Sequence, residues 1–490
     1  MIDLAAGRKA IADSESPGHP AGMVVDGAAD TFWRAADGSP GHTWEVDLGA
    51  VSHVSHIEIV WEKDNPYEYA LHISLDNIHW VKASDTWTYT AAAQETADSI
   101  RAYVRYIRIT VTGGVSEENR VGICAFRAIE GEPPAFINGA DLSSLQQIED
   151  FGGKYYDRDG AERDCLAIMK DCGVNYIRLK VWNKPGLPYS DPAGYNDKAH
   201  VLAMAKRVYA YGFQLLIDFH YSDWWADPGK QWMPEEWKGL SFPQLEDALY
   251  DFTYDVVSAL KAQGTPPGMV QIGNEITNGM LWDVAKVSEE FDTDAQWDKL
   301  CALLKKGIAA VKDMDPSIRT IVHIERSGDN QASVYFYNHL LMRNVAFDYI
   351  GLSYYPIFHG AIEGFKDNIR DLSRRYGKGI IVVETGFPWT AENGDSTPNV
   401  ATSPYASKLE GYPVSVQGQA DALQAVISIV KDTPEGLGFF YWEPDFIPVE
   451  GAGWKYGEGC EWDDQILFDF TGHALWSLDV FRMHRANTVI

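Results

Sequence analysis

The sequence predicts an α/β chain in which a (β/α)8 barrel follows an N-terminal all-β sandwich. Three observations carry that expectation. The 490 residues exceed what one ordinary core holds, which sets two or three domains as the starting point. The chain changes character at Gly131-Glu-Pro-Pro134: short alternating runs precede it, and strand and helix patterns alternate after it. Eight apolar strand-like runs follow that point, with helical stretches between them.

Before the break, Thr43–Leu48, His56–Trp61, Tyr69–Ser74 and Tyr103–Val111 alternate apolar and polar residues between Gly, Asp and Asn. That is the pattern of half-buried antiparallel strands. Residues 1–131 are therefore expected to form the sandwich and 132–490 the barrel, with Pro133 and Pro134 as a stiff link.

After the break the expected strands are Ala135–Asp141, Asn175–Trp182, Phe213–Ser222, Gly268–Ile276, Thr320–Arg326, Phe347–Pro356, Gly379–Trp389 and Gly436–Pro444. Ala161–Cys172 reads as a helix that stops at Gly173, and Leu245–Ala262, Trp297–Met314 and Val416–Lys431 read as amphipathic helices. No glycine-rich phosphate loop and no internal repeat is present.

Composition narrows the function. A formal charge of -29 disfavours nucleic acid, an anionic membrane surface and polyanionic substrates, and is compatible with a neutral polysaccharide. The 17 Trp and 25 Tyr supply flat apolar faces with polar edges, on which sugar C–H faces stack. The five cysteines are odd in number and contain no CxxC, so neither a zinc site nor a disulfide framework is expected, and Cys165 and Cys172 read as small core residues. No run of eighteen apolar residues suggests a membrane span, and the first residues lack a basic, apolar signal segment. With a polysaccharide substrate, the expectation is a secreted, periplasmic or cell-surface protein whose signal lies outside this sequence, with no membrane insertion and no nucleic-acid partner.

The chemistry gathers at the strand ends, which in a barrel form the functional rim. Glu275 ends the apolar run Met269-Val-Gln-Ile-Gly-Asn-Glu-Ile276, and Glu384 ends Gly379-Ile-Ile-Val-Val-Glu384. Two carboxyl groups facing each other are what glycoside hydrolysis requires, one as acid/base and the other as nucleophile. Asp141, Arg178, Trp182, Asn183, His220 and His323 stand at or near other strand ends, as expected for groups that position a substrate. Arg178 and a hydroxyl from Tyr354 are candidates to keep Glu384 ionised. Asn274 is placed to hydrogen-bond a sugar 2-hydroxyl, and Trp442 to form the floor under the reacting ring. Trp224 and Trp225, with Trp232 and Trp237 beyond them, and Trp389 after strand seven, are candidate sugar platforms. These residues leave open a barrel enzyme acting on a neutral glycan, such as mannan or xylan, and a non-catalytic carbohydrate-binding protein.

The segments Gly139-Ala-Asp-Leu-Ser-Ser144, Gly173-Val-Asn-Tyr-Ile-Arg-Leu-Lys-Val-Trp-Asn183, Asp218-Phe-His-Tyr-Ser-Asp-Trp-Trp225, Gly273-Asn-Glu-Ile-Thr-Asn278 and Phe440-Tyr-Trp-Glu-Pro444 resemble glycoside hydrolase family 53, the endo-β-1,4-galactanases that cut the galactan and type I arabinogalactan side chains of pectin. The resemblance covers about residues 135 to 485. It implies endo attack by a retaining mechanism, with Glu275 as acid/base, Glu384 as nucleophile and no cofactor required for catalysis. It also implies a structural calcium in the loop after strand seven, held by Asn393, Asp395 and Asn399 with Asp463, although Asn393 and Thr397 depart from the family's usual Asp and His.

The first 131 residues resemble a discoidin-type, galactose-binding-like jelly roll, the fold of family 32 carbohydrate-binding modules, through Val25-Asp-Gly-Ala-Ala-Asp-Thr-Phe-Trp33, Trp44–Gly49 and Tyr103–Arg108. Asp26 and Asp30 match that fold's calcium loop, whereas Ala125 stands where a Glu is usual. Trp33, Trp61 and Trp87 are its candidate sugar-stacking rings.

Overall fold

A computed structural model describes residues 1–86, 88–400 and 411–486. They divide into two compact units. One contains Met1–Ala135 with Ala420–Ile429 and the segment from Asp479, and the other contains Phe136–Gln419 and Val430–Leu478.

The N-terminal unit is built on an antiparallel sheet of eight strands, through which two strands of 19 residues, Thr43–Trp61 and Glu95–Gly113, run side by side. Their register shifts between Asp47 and Ser52 and again between Val54 and His56, the irregularities that let long strands bend. Alternation places Trp44, Val46, Ile57, Ile59 and Trp61 in the core. Trp33 and Trp61, expected as sugar platforms, are fully buried there. Each indole N–H is satisfied internally, Trp33 by the carbonyl of Ser14 (2.9 Å) and Trp61 by the Thr96 hydroxyl (3.2 Å), so neither ring has a face to offer a ligand. Trp87 lies outside the described residues. Asp26 accepts from the Ala28 amide and the Thr31 hydroxyl in a local turn.

The second unit contains a closed barrel of eight parallel strands: Ile137–Asp141, Tyr176–Val181, Gln214–Phe219, Met269–Ile272, Arg319–Ile324, Tyr349–Tyr354, Gly379–Thr385 and Gly436–Tyr441. The strands are largely apolar and are buried on both faces over most of their length, as a helix-wrapped sheet requires. All eight expected strands exist, each one to five residues shorter in total than its expected run, and the fifth begins one residue early at Arg319. The fourth stops at Ile272 because Gly273 (φ +85°) and Glu275 (φ +48°) turn the chain into left-handed conformations. The sixth stops before Pro356, which opens a short helix. The helix expected over Ala161–Cys172 begins only at Cys165, where the Asp164 side chain caps it, because Glu162–Arg163 pairs with Tyr155–Tyr156 instead. Phe242–Ala262 starts at a Ser241–Gln244 capping box, and Asp294–Met314 is capped by Thr293. All five cysteines are free. No described helix is long and apolar enough to cross a membrane.

Candidate functional site

At the C-terminal rim, a cavity of about 490 Å³ opens between the strand ends, and Glu275, Glu384, Asn274, Trp225 and Trp442 line it. The left-handed turn at Glu275 is what directs its side chain inward from the end of strand four. A carboxylate oxygen of Glu275, one of Glu384 and a ring nitrogen of His323 all lie within 4.8 Å of one another.

Beneath the cavity Arg178, almost fully buried, binds three carboxylates: Asp141 through Nη1 (2.7 Å), and Asp218 (2.8 Å) and Glu384 Oε1 (2.9 Å) through Nη2. Tyr355 donates its hydroxyl to Glu384 Oε2 at 3.0 Å. Burial pushes Glu384 up to about 7, and the Arg178 charge and the Tyr355 hydroxyl oppose it. Among the described residues no cation pairs with Glu275. Burial, followed by the charges of Glu384 and Glu325, holds it well above the usual carboxylate range. Two carboxyl groups side by side are thereby driven apart, with Glu384 the first to ionise and Glu275 the one that keeps its proton.

The hydrogen bonds around Glu275 are ordered. Ser353 Oγ donates to Glu275 Oε1 at 2.6 Å and contacts His323 Nε2 at 2.8 Å. His323 Nδ1 is held among two N–H groups, of Gln271 (3.0 Å) and the Glu275 backbone (3.3 Å), and the side-chain oxygen of Asn274 (3.1 Å). Ser353 thus supplies a donor to one oxygen of Glu275, Oε1. Burial holds His323 well below its ordinary value, so the ring is neutral. His220 is fixed likewise: its Nδ1 accepts from the Ala226 amide (3.0 Å), and Nε2 faces Asp218 Oδ2 at 2.9 Å. Asn274 Oδ1 accepts from Arg178 (2.9 Å) while its Nδ2 donates to the Ala226 carbonyl (2.8 Å), which fixes the amide beside Glu275.

The aromatic floor is layered. Trp225 stacks on Trp454 at 4.5 Å with 5° between the planes, and both approach Trp442, which meets Trp462 edge-on at 4.9 Å. The buried Lys180 ammonium lies 4.1 Å from the centre of the Trp225 ring and pairs with Glu443 at 2.7 Å.

The structure sorts the residues expected from the sequence. Glu275, Glu384, Asn274, Trp225 and Trp442 line the cavity, and Asp141, Arg178, His220 and His323 form the polar layer that supports it. Trp182 packs edge-on against Trp225 at 5.3 Å, below the lining. The hydroxyl expected from Tyr354 comes from Tyr355 instead. Strand alternation turns Tyr354 outward, where it stacks on Phe365 (4.3 Å) and donates to the Gly360 carbonyl. Asn183 is also displaced from its expected place: its amide donates to Glu236 at 2.6 Å, outside the cavity. Trp389 packs on Phe470 and donates to the Asp463 carbonyl, so it too lies outside the lining. Trp224 stands on the rim beside the cavity. Sequence reasoning gave no role to Tyr355, Ser353, Trp454 or Trp462. The first two stood in Ser353-Tyr-Tyr-Pro356, whose hydroxyl-rich end is a usable sign, whereas Trp454 and Trp462 lie in a loop with no periodicity to place them.

In the loop expected to hold calcium, Asp463 accepts from the Gly394 amide (3.0 Å) and from Asn399 Nδ2 (2.8 Å), and Asp395 accepts from the amides of Thr397 (2.6 Å) and Cys460 (2.7 Å). Asn393 turns its amide to the Thr397 carbonyl. All four carboxylate oxygens of Asp395 and Asp463 thus face N–H donors within one hydrogen-bonded loop.

Comparison with known proteins follows this geometry. The model of glycosyl hydrolase family 53 matches residues 137–481, and that of the F5/8 type C domain matches residues 9–126. The chain belongs to glycosyl hydrolase family 53. It is 35% identical over 390 residues to an endo-β-1,4-galactanase of Bacillus subtilis (strain 168), covering 73% of this chain and 87% of the relative. It is 32% identical over 352 residues to the arabinogalactan endo-β-1,4-galactanase A of Aspergillus niger, covering 70% of this chain and 93% of that one. Among solved structures, the Ignisphaera aggregans GH53 catalytic domain superposes with a TM-score of 0.68 at 43% identity, over 72% of this chain and 97% of that chain.

Proposed function

We infer that Glu275 is the acid/base and Glu384 the nucleophile of an endo-β-1,4-galactanase that works by retaining double displacement on galactan and type I arabinogalactan. The observation that carries this reading is the approach of the two carboxylates to within 4.8 Å. Inverting enzymes hold the pair about 6.5–9.5 Å apart to admit a water, and retaining ones about 5–5.5 Å. In the first step the Glu384 carboxylate attacks the anomeric carbon, the glycosidic C–O bond breaks, and Glu275 gives its proton to the leaving oxygen. In the second step Glu275, now ionised, takes a proton from water. That water attacks the anomeric carbon and frees Glu384. Arg178 and Tyr355 stabilise Glu384 as the leaving carboxylate. Ser353 occupies Oε1 of Glu275 and leaves Oε2 to carry the transferred proton. Trp225 and Trp442 give the sugar its apolar floor.

No step calls on a cofactor. The hydrogen-bonded loop around Asp395 and Asp463 supports a reading in which calcium is not required for its shape. A polymeric substrate places the enzyme outside the cytoplasm, in secreted, periplasmic or cell-surface form. The experiment that tests the function is release of reducing ends from linear β-1,4-galactan, with mannan, xylan and arabinan in parallel. Mixed oligosaccharides from galactan alone are expected, and activity confined to another glycan would overturn the substrate.

A further inference from the structure

Beside the cavity, the rim holds a second, open groove of about 770 Å³. The loop after strand two supplies Leu187 and Tyr189 to it, and the loop after strand three supplies Trp224 and Trp232. Its three rings pack on one another, with Tyr189 tilted 47° against Trp232 at 5.2 Å. Tyr189 stacks on Trp224 at 4.9 Å and 23°, and Trp224 on Trp232 at 5.7 Å and 24°. Tyr189 and Trp232 keep 38% and 41% of their surface in solvent, an unusual exposure for adjacent large rings. The groove is joined to the cavity by aromatic contact, because Trp224 meets Trp454 at 6.3 Å and Trp454 stacks on Trp225 in the cavity floor.

The polar lining is built. Asp223 accepts the backbone amides of Lys184 (2.9 Å) and Glu235 (2.8 Å), which ties the two loops that form the walls. Lys184 is paired with Glu236, and Lys238 with Glu235. The groove therefore offers hydrogen-bonding groups with two ion pairs and the single further carboxylate of Asp223, which suits an uncharged chain of hydroxyls and disfavours a polyanion.

We propose that this groove is a distal binding site for the same galactan chain that the cavity cleaves. The chain leaves the cavity along Trp225 and Trp454 and lays C–H faces of later sugars on Tyr189 and Trp232. The identity of the chain rests on the galactanase reading, whereas the groove rests on its own rings. Its effect is one of linked binding: once the cavity holds one part of a polymer, the groove sees the rest at high effective concentration, so long chains gain affinity that short ones do not.

The test compares the full chain with its Trp232→Ala and Tyr189→Ala variants on long galactan and on galactotetraose. Both side chains are exposed, and thermal unfolding checks that each variant folds. The ratio of kcat/KM on polymer to that on tetraose is expected to fall about five- to tenfold, through the KM for polymer. An unchanged ratio, or equal losses on both substrates, would overturn the proposal. Calorimetric binding of the polymer to Glu384→Gln, with and without Trp232→Ala, reads the groove apart from turnover. About tenfold weaker binding supports it, and equal binding contradicts it. If the unaltered chain cuts another neutral glycan and not galactan, the galactanase reading fails, and the same ratio taken on that glycan still decides the groove.

Discussion

The sandwich and the barrel rim both concentrate tryptophan, and they use it in opposite ways. In the sandwich Trp33, Trp44 and Trp61 are sealed, each with its N–H satisfied by a neighbouring segment. At the rim Trp225, Trp442, Trp454 and Trp462 face a cavity, above a layer in which one arginine serves three carboxylates. The sandwich spends its aromatics on cohesion. The rim holds buried acids away from their ordinary proton affinities, which costs stability and supplies chemistry. Substitutions in the two regions should therefore separate rate from stability.

The largest effect is expected from Glu384→Ala, which should lower turnover on galactan by at least about 10⁴-fold. Asp141 and Asp218 still neutralise Arg178, so the melting temperature should change little. Azide should restore cleavage of an activated aryl galactoside with inverted configuration, and substantial galactan turnover by the variant alone would remove the nucleophile role.

Next comes Glu275→Ala, expected to cost about 10²–10⁴-fold on galactan and far less on substrates with good leaving groups. Equal losses on both would argue against proton donation. Tyr355→Phe should follow, at about 10–100-fold in kcat/KM. Rate rises with pH as Glu384 ionises and falls as Glu275 loses its proton. The Tyr355 hydroxyl favours the ionised form of Glu384, so its loss raises that pKa and moves the acid limb to higher pH while the alkaline limb stays. An unmoved acid limb would show that the hydroxyl does not act on Glu384.

On the other side of the comparison, Trp61→Ala should cost about 3–5 kcal/mol of stability in its unit, read by thermal unfolding, with kcat/KM per folded molecule unchanged. Loss of rate in the folded variant would break the contrast. The smallest effect is expected at the Asp395–Asp463 loop: a chelator should leave the melting temperature within about 1 °C, and a rise of several degrees on adding calcium would place an ion there.

Much of this was legible in the sequence because its physics is local. Apolar β-branched runs ending in a carboxylate marked strands and rim together, so Glu275, Glu384 and Arg178 could be found from pattern alone. Tyr354 and Tyr355 differ by one position, and only the true strand phase decides which hydroxyl turns inward. Trp33 and Trp61 could not be sorted from Trp225 and Trp442 by residue type, since burial depends on which face of a strand or loop each occupies. The layer of Trp454 and Trp462 arises from a long loop with no repeat to read. The partners of Asp395 and Asp463 are backbone amides, and a sequence does not show where its backbone N–H groups point.

The most direct test of the glutamate pair is the anomeric configuration of the first products released from β-1,4-galactan, followed by proton NMR before mutarotation. The β-anomer appearing first is the expected result, since Glu384 attacks and water then displaces it from the opposite face. The α-anomer appearing first would mean that water attacks directly, and would contradict a covalent role for Glu384.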